Sequence, residues 1–185
     1  MEYSFNCFNK LGATGITMAL HNFLSDFSDP PVLLCIGSDL AIGDSLGPIT
    51  GTLTGQKTCG DCFIYGTLTK PITAKEVKYL NAFLHNAHPK SKIIAVDAAV
   101  GEAGDIGLIR IANRGLKPGL GANKKFDPVG DVSILGIVAE KSVFNYSLLN
   151  LTRLNLVYKM ADMISKGLSD FLTELPAVGI KIKSA

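Results

Sequence analysis

The chain has 185 residues, 47% of them hydrophobic and 18% charged, with a formal net charge of +2. That balance excludes a disordered polyelectrolyte and leaves no global field to draw in nucleic acid. No apolar run approaches the ~18 residues of a membrane-spanning helix, and the first residues lack the basic region and cleavage pattern of a signal peptide.

The first helix is expected from Thr14 to Phe27, where Ile16, Leu20, Phe23, Leu24 and Phe27 recur at helical spacing. Pro30 and Pro31 stop it. Val32 to Ile36 is apolar on both faces, as a buried parallel strand requires. Pro48 to Gln56 reads as a helix of poor propensity, with three threonines and two glycines. A short strand follows at Phe63 to Gly66. Thr73 and Glu76 form a capping box ahead of Val77, Leu80, Phe83 and Leu84. Lys92 to Asp97 is a second buried strand that ends in an acid. Ile106 to Ala112 and Val132 to Ala139 are two further strands. Leu151, Leu154, Val157, Ala161, Ile164, Leu168 and Phe171 mark a long amphipathic helix. Strands alternating with helices point to an α/β fold with a mainly parallel sheet, to which the two consecutive strands after Asp97 add an antiparallel edge. Ligands in such sheets bind beyond the carboxyl ends of the strands, here after Ile36 and after Val96.

The loop after Ile36 carries Asp39 and Asp44. Pro48 prefers the first helical position, which puts the cap at Gly47 and leaves Asp44 free near the positive end of the helix. The alternative is Asp44 as the cap itself. Asp39 reads as a solvated loop acid. An acid such as Asp97, at the end of an apolar strand, is costly unless paired or used; its other reading is a hydrogen bond to the following turn. Two strand-end acids on neighbouring strands meet at one crevice. At close range they cannot both ionise, which yields a general base and a general acid.

Other motifs carry less. Gly43-Asp44-Ser45-Leu46-Gly47 fits the nucleophile elbow and spells the GDSL string of one esterase family. An elbow serine follows its strand directly, however, and here six residues separate Gly37 from Asp44. A late histidine is also missing, since the histidines are His21, His85 and His88. Cysteines at 7, 35, 59 and 62 do not make a disulfide scaffold at this length, and the thiols are expected to be reduced. Cys59 and Cys62 form a lone C-x-x-C without the second ligand pair of a zinc site. Arg110 to Lys125 holds five cations and no acid, with a glycine-rich stretch that lacks the G-K-[ST] of a phosphate loop. It reads either as a solvated hairpin or as a basic flap over the acidic site.

Taken together, Ile36-Gly37, Gly43 to Pro48, Ala95-Val96-Asp97-Ala98 and Gly115 to Lys125 resemble the germination protease of spore-forming bacteria and its short YyaC-type relatives. The resemblance spans roughly residues 30–140. It implies an α/β three-layer sandwich with a mainly parallel mixed sheet, phosphorylase/hydrolase-like and shared with hydrogenase maturation proteases. It also implies a peptidase that uses Asp44 and Asp97 as catalytic residues. The family's basic glycine loop matches Lys117, Gly119, Gly121 and Lys124 as substrate-binding residues, with Lys117 where the family has histidine. The maturation proteases recognise nickel through two acids and a later histidine, and this chain has no histidine after His88.

The resulting expectation is a single cytoplasmic domain over residues 1–185, in the developing spore by resemblance. It would hydrolyse peptide bonds with no metal or cofactor. The partner would be a peptide or protein substrate, small spore proteins among them, rather than a membrane or nucleic acid; self-association stays open. The alternatives are a non-catalytic or metal-dependent maturation factor that binds a protein in the same cleft, and a serine esterase built on Ser45.

Overall fold

The computed structural model describes residues 1–25, 27–58, 62–117, 128–141, 149 and 152–175. Strand β1 is Glu2–Asn6, helix α1 Gly12–Phe23 and strand β2 Val32–Cys35. A 3-10 turn at Gly43–Ser45 leads directly into α2, Leu46–Lys57. Then come β3 (Phe63–Tyr65), α3 (Ala74–Ala87), β4 (Ile93–Gly101), β5 (Leu108–Ala112), β6 (Val132–Glu140) and α4 (Leu154–Glu174).

The strands form one mixed sheet in the order β1-β5-β6-β4-β2-β3. Strands β3, β2, β4 and β6 run parallel, whereas β5 is antiparallel to both of its neighbours, β6 and β1. Alternation along β2 and β4 sends their apolar side chains to two faces. Leu33, Cys35, Ile94 and Val96 pack with residues of α1, α2 and α4. Val32, Leu34, Ile36, Ile93 and Ala95 pack with Val77 and Leu84 of α3, and with Leu116 and Val129. The result is three layers, helix–sheet–helix, as the sequence suggests.

Four boundaries depart from the sequence reading. Strand β1 was not expected; its Tyr3 and Phe5 pack on the core while Glu2, Ser4 and Asn6 face outward, a half-buried edge too short to stand out. Helix α1 stops at Phe23, although Phe27 still packs on the core. Helix α2 begins at Leu46, so Pro48 is its third residue and the residue before the helix, Ser45, makes no side-chain cap. Strand β4 runs four residues past Asp97 to Gly101, so Asp97 is not a strand end. The Thr73–Glu76 capping box is present as expected, with the Thr73 amide donating to Glu76 Oε2 at 2.8 Å.

Helix α2 lies unusually close to the sheet. A Cβ on Gly47 would overlap the Ile36 carbonyl oxygen, and one on Gly51 the Gly66 carbonyl oxygen. Gly66 itself has φ +92°, and a Cβ there would overlap the Cys35 carbonyl oxygen. Only glycine tolerates both that conformation and that approach. Gly66→Ala should therefore cost at least ~2 kcal/mol in urea unfolding, from positive-φ strain plus backbone overlap. Gly104→Ala, where an added Cβ meets nothing within 4 Å, should be close to neutral. Equal effects at the two positions would refute this account of the α2 contact.

Candidate active site

Strand β2 ends before β4 does. The Ile36 amide still donates to the Val96 carbonyl of β4 at 2.7 Å, and then Gly37 turns the chain away. Gly37 has φ +144°, and its amide donates to the Ile72 carbonyl just ahead of α3 (2.8 Å). The chain returns through a tight turn in which the Ser38 amide donates to the Asp44 main-chain oxygen (3.1 Å) and the Asp44 amide to Ala41 (3.0 Å). The Gly47 contact on Ile36 presses this turn down onto the strand ends. Asp44 is thereby held, half-buried, directly above β2 and beside β4.

Asp97 is the fifth residue of β4 and is only 7% exposed. Its Oδ1 accepts the amide of the next residue, Ala98, at 2.8 Å. Burial holds the Asp97 carboxyl well above the usual carboxylate range; the negative charge of Asp44 adds to this, and the Ala98 hydrogen bond opposes it. Asp44 is raised by burial alone, opposed by the Ser38 amide. The two are thus close enough for one charge to act on the other. Both shifts favour the neutral acid, and the charge of Asp44 adds to the one on Asp97.

Ser45 is 5% exposed, and its hydroxyl donates to the Ile42 carbonyl at 2.6 Å, closing the turn. No histidine is brought to it. His21 pairs with Glu174 (2.8 Å), and His88 Nε2 meets the Tyr65 hydroxyl (2.8 Å). His85 and His88 stand at the far end of α3, ~20 Å of helix from its start near Gly37. Asp39 is exposed.

Lys117 is exposed and follows Leu116, which exchanges two main-chain hydrogen bonds with Val129. Gly119, Gly121 and Lys124 lie outside the described residues, as does Cys59 of the C-x-x-C. Cys62 is partly buried against the core. Among the described residues, no group of three His, Cys, Asp or Glu gathers where it could hold a metal ion, so the donors present do not fit a nickel site. What the sequence reading missed is main-chain: the Ala98 and Ser38 amides, which soften the two acids. Their only signal is adjacency to the acid or to the glycine turn.

The raised Asp97 carboxyl sets the sign of a pH effect. Below the unfolded carboxyl pKa of ~3.9, native and unfolded chains are both protonated here. Between that value and the raised native one, the native state holds the extra proton, so stability falls as pH rises. Asp97→Asn keeps the acceptor for Ala98 and removes this dependence. In urea unfolding the wild type should lose stability relative to Asp97→Asn as the pH rises above about 4, and Asp97→Asn should become the more stable protein. Parallel curves for the two proteins would show that Asp97 does not retain its proton.

Comparison with known proteins agrees with this architecture. The chain is similar to the nickel–iron hydrogenase maturation protease HycI from Thermococcus kodakarensis KOD1, with a TM-score of 0.52 at 18% identity, over 84% of this chain and 99% of that one. At that identity the likeness concerns the fold. It is also 41% identical over 140 residues to the uncharacterized protein YyaC of Bacillus subtilis (strain 168), covering 76% of this chain and 68% of that protein. No helix among the described residues is long and apolar enough to cross a membrane. Residues 5–167 match the model of a family described as protein of unknown function, DUF1256, and the chain belongs to that family.

Proposed function

We propose that this protein is a peptidase of spore-forming bacteria that hydrolyses peptide bonds with the Asp44–Asp97 pair. The observation that carries the reading is the joint burial of two carboxyls at the end of β2, with Asp97 raised in part by the charge of Asp44. Environments that push two acids apart assign their roles. Ionised Asp44 is the base and takes a proton from water as the water oxygen bonds to the scissile carbonyl carbon. Protonated Asp97 is the acid and delivers its proton to the amide nitrogen as the C–N bond breaks. The products are a carboxylic acid and an amine, and proton exchange with solvent restores the pair. Among the described residues no metal-ligand set gathers, and no step of this reading passes through a metal.

The fold likeness to a maturation protease supports a protein or peptide substrate. The motif resemblance to the germination protease supports small spore proteins as its class and the developing spore as its place. Exposed Lys117, with Gly119, Gly121 and Lys124, would grip acidic groups of that substrate.

The test is cleavage of an unfolded polypeptide by purified protein. Asp44→Asn and Asp97→Asn should each lower kcat by at least ~100-fold, the worth of a positioned acid or base. Ser45→Ala should retain most of the activity, because the hydroxyl already serves the turn. Labelling of Ser45 by an active-site serine reagent with loss of turnover would instead establish the esterase. Lys117→Ala should raise KM for acidic peptides and leave kcat nearly unchanged. Equal KM values for acidic and neutral peptides in both proteins would remove Lys117 from substrate binding.

A further inference from the structure

Strand β4 outlasts β2. The parallel ladder between them ends at Cys35 opposite Val96, and its last bond is the Ile36 amide to the Val96 carbonyl. Strand β4 continues through Gly101, paired on its other side with β6 by Ala98 opposite Gly136 and Ala99 opposite Ile137; the register then shifts by one residue of β6, so that Val100 lies opposite Ala139 and Gly101 opposite Glu140. In a parallel ladder, the amide and carbonyl of one residue point to the same neighbour, and successive residues alternate between neighbours. Val96 points toward β2, so Ala98 and Val100 also point to that side. Asp97, Ala99 and Gly101 point to β6; the Lys141 amide donating to the Gly101 carbonyl at 2.7 Å fits this phase.

Beyond Val96, the β2 side of β4 therefore has no strand beside it among the described residues. The Ala98 amide is taken by its neighbour's carboxylate, Asp97 Oδ1. The Ala98 carbonyl and both main-chain groups of Val100 face that same side, where no strand among the described residues pairs with them. Residues 98–101 are each only half-buried. The hydrogen bond to Ala98 also curls the Asp97 carboxyl toward this same edge, at its foot.

We infer that the substrate binds as an extended polypeptide strand added to β4 along Ala98–Gly101, in the place where β2 would have continued. The inference rests on the peptidase reading of the same site. An occupant must supply main-chain donors for the Ala98 and Val100 carbonyls and an acceptor for the Val100 amide at strand spacing, which an extended polypeptide does and a compact small molecule does not. Such a strand runs ~4.8 Å from β4. Its backbone passes the Asp97 carboxyl, which carries the reacting proton, and lies under the turn that holds Asp44. Recognition is then mainly through the main chain, and the substrate must present a segment free of helix or sheet.

Amide hydrogen exchange and peptide titration test this without relying on cleavage. The Val100 amide should exchange at least about tenfold faster than that of Ala99, which is tied into the β6 ladder. A capped alanine-rich hexapeptide at saturation should slow Val100 exchange. The same peptide N-methylated at every residue should not. Val100→Pro removes one outward donor and leaves the β6 ladder whole, as proline does at an open edge. It should weaken peptide binding about tenfold. If Val100 is as protected as Ala99, or both peptides act alike, strand addition is wrong. Should Val100→Pro misfold, the exchange comparison on the wild-type protein decides. If Val100 behaves as described and no polypeptide is ever cleaved, the peptidase reading falls and strand docking stands.

Discussion

The site depends on how closely helix α2 approaches the backbone of β2 and of the turn after β3. Gly47 sits on the Ile36 carbonyl, Gly51 on that of Gly66, and Gly66 on that of Cys35. Any side chain at these points would lift the helix, and with it the turn at Gly43–Ser45 that opens the helix. Gly43 extends the same ridge toward Leu149, four residues before Gly47. Thr50 and Thr54 are fully buried, and the Thr50 hydroxyl is returned to the Leu46 carbonyl at 2.8 Å. A helix of poor propensity is thus held by contact rather than by its own preference. What this contact secures is the position of one carboxylate, Asp44, over the end of the sheet.

That position is costly to hold. A carboxyl placed among apolar strand residues resists ionisation, and a second acid nearby deepens the resistance. Asp97 has one main-chain amide to offset this, and no cation pairs with it among the described residues. The ion pairs nearest in chain order, Arg110–Asp105 and Lys92–Asp131, serve the turns on either side of β4. An acid pair kept unneutralised is poor design for stability alone. In the reading proposed above, it is what would separate two otherwise identical groups into a proton donor and a proton acceptor.

Much of the fold was legible because its signals are strong ones. Val32 to Ile36 and Ile93 to Val96 are apolar on both faces, and they became the central parallel strands. The Thr73–Glu76 pair announced α3 by side-chain chemistry alone. Strand β1 was missed because only two of its five residues, Tyr3 and Phe5, carry the alternation. The start of α2 was misplaced because Pro48 was weighed by its usual preference for the first helical position. The third position also lacks an intrahelical acceptor for its amide, so proline costs no hydrogen bond there. At the site, Asp44 and Asp97 were singled out by their place after apolar strands, and the structure brings them within reach of each other's charge. The spacing of Gly43, Gly47, Gly51 and Gly55 was in plain view and was read as weakness rather than as a contact surface.

The extent of β4 could not be read in the same way, and the reason bears on the site. Ala98, Ala99 and Gly101 have low strand preference, so local propensity ends the strand at the acid. Pairing with β6 overrides that preference, because Ile134, Ile137 and Val138 bring their own apolar surface alongside. Small residues are tolerated where one side of a strand has no neighbour to pack against. The feature that defeats the propensity argument is thus the one that shapes the site: β2 stops at Cys35, Gly37 carries the chain away, and β4 goes on past its acid with β6, among the described strands, as its neighbour.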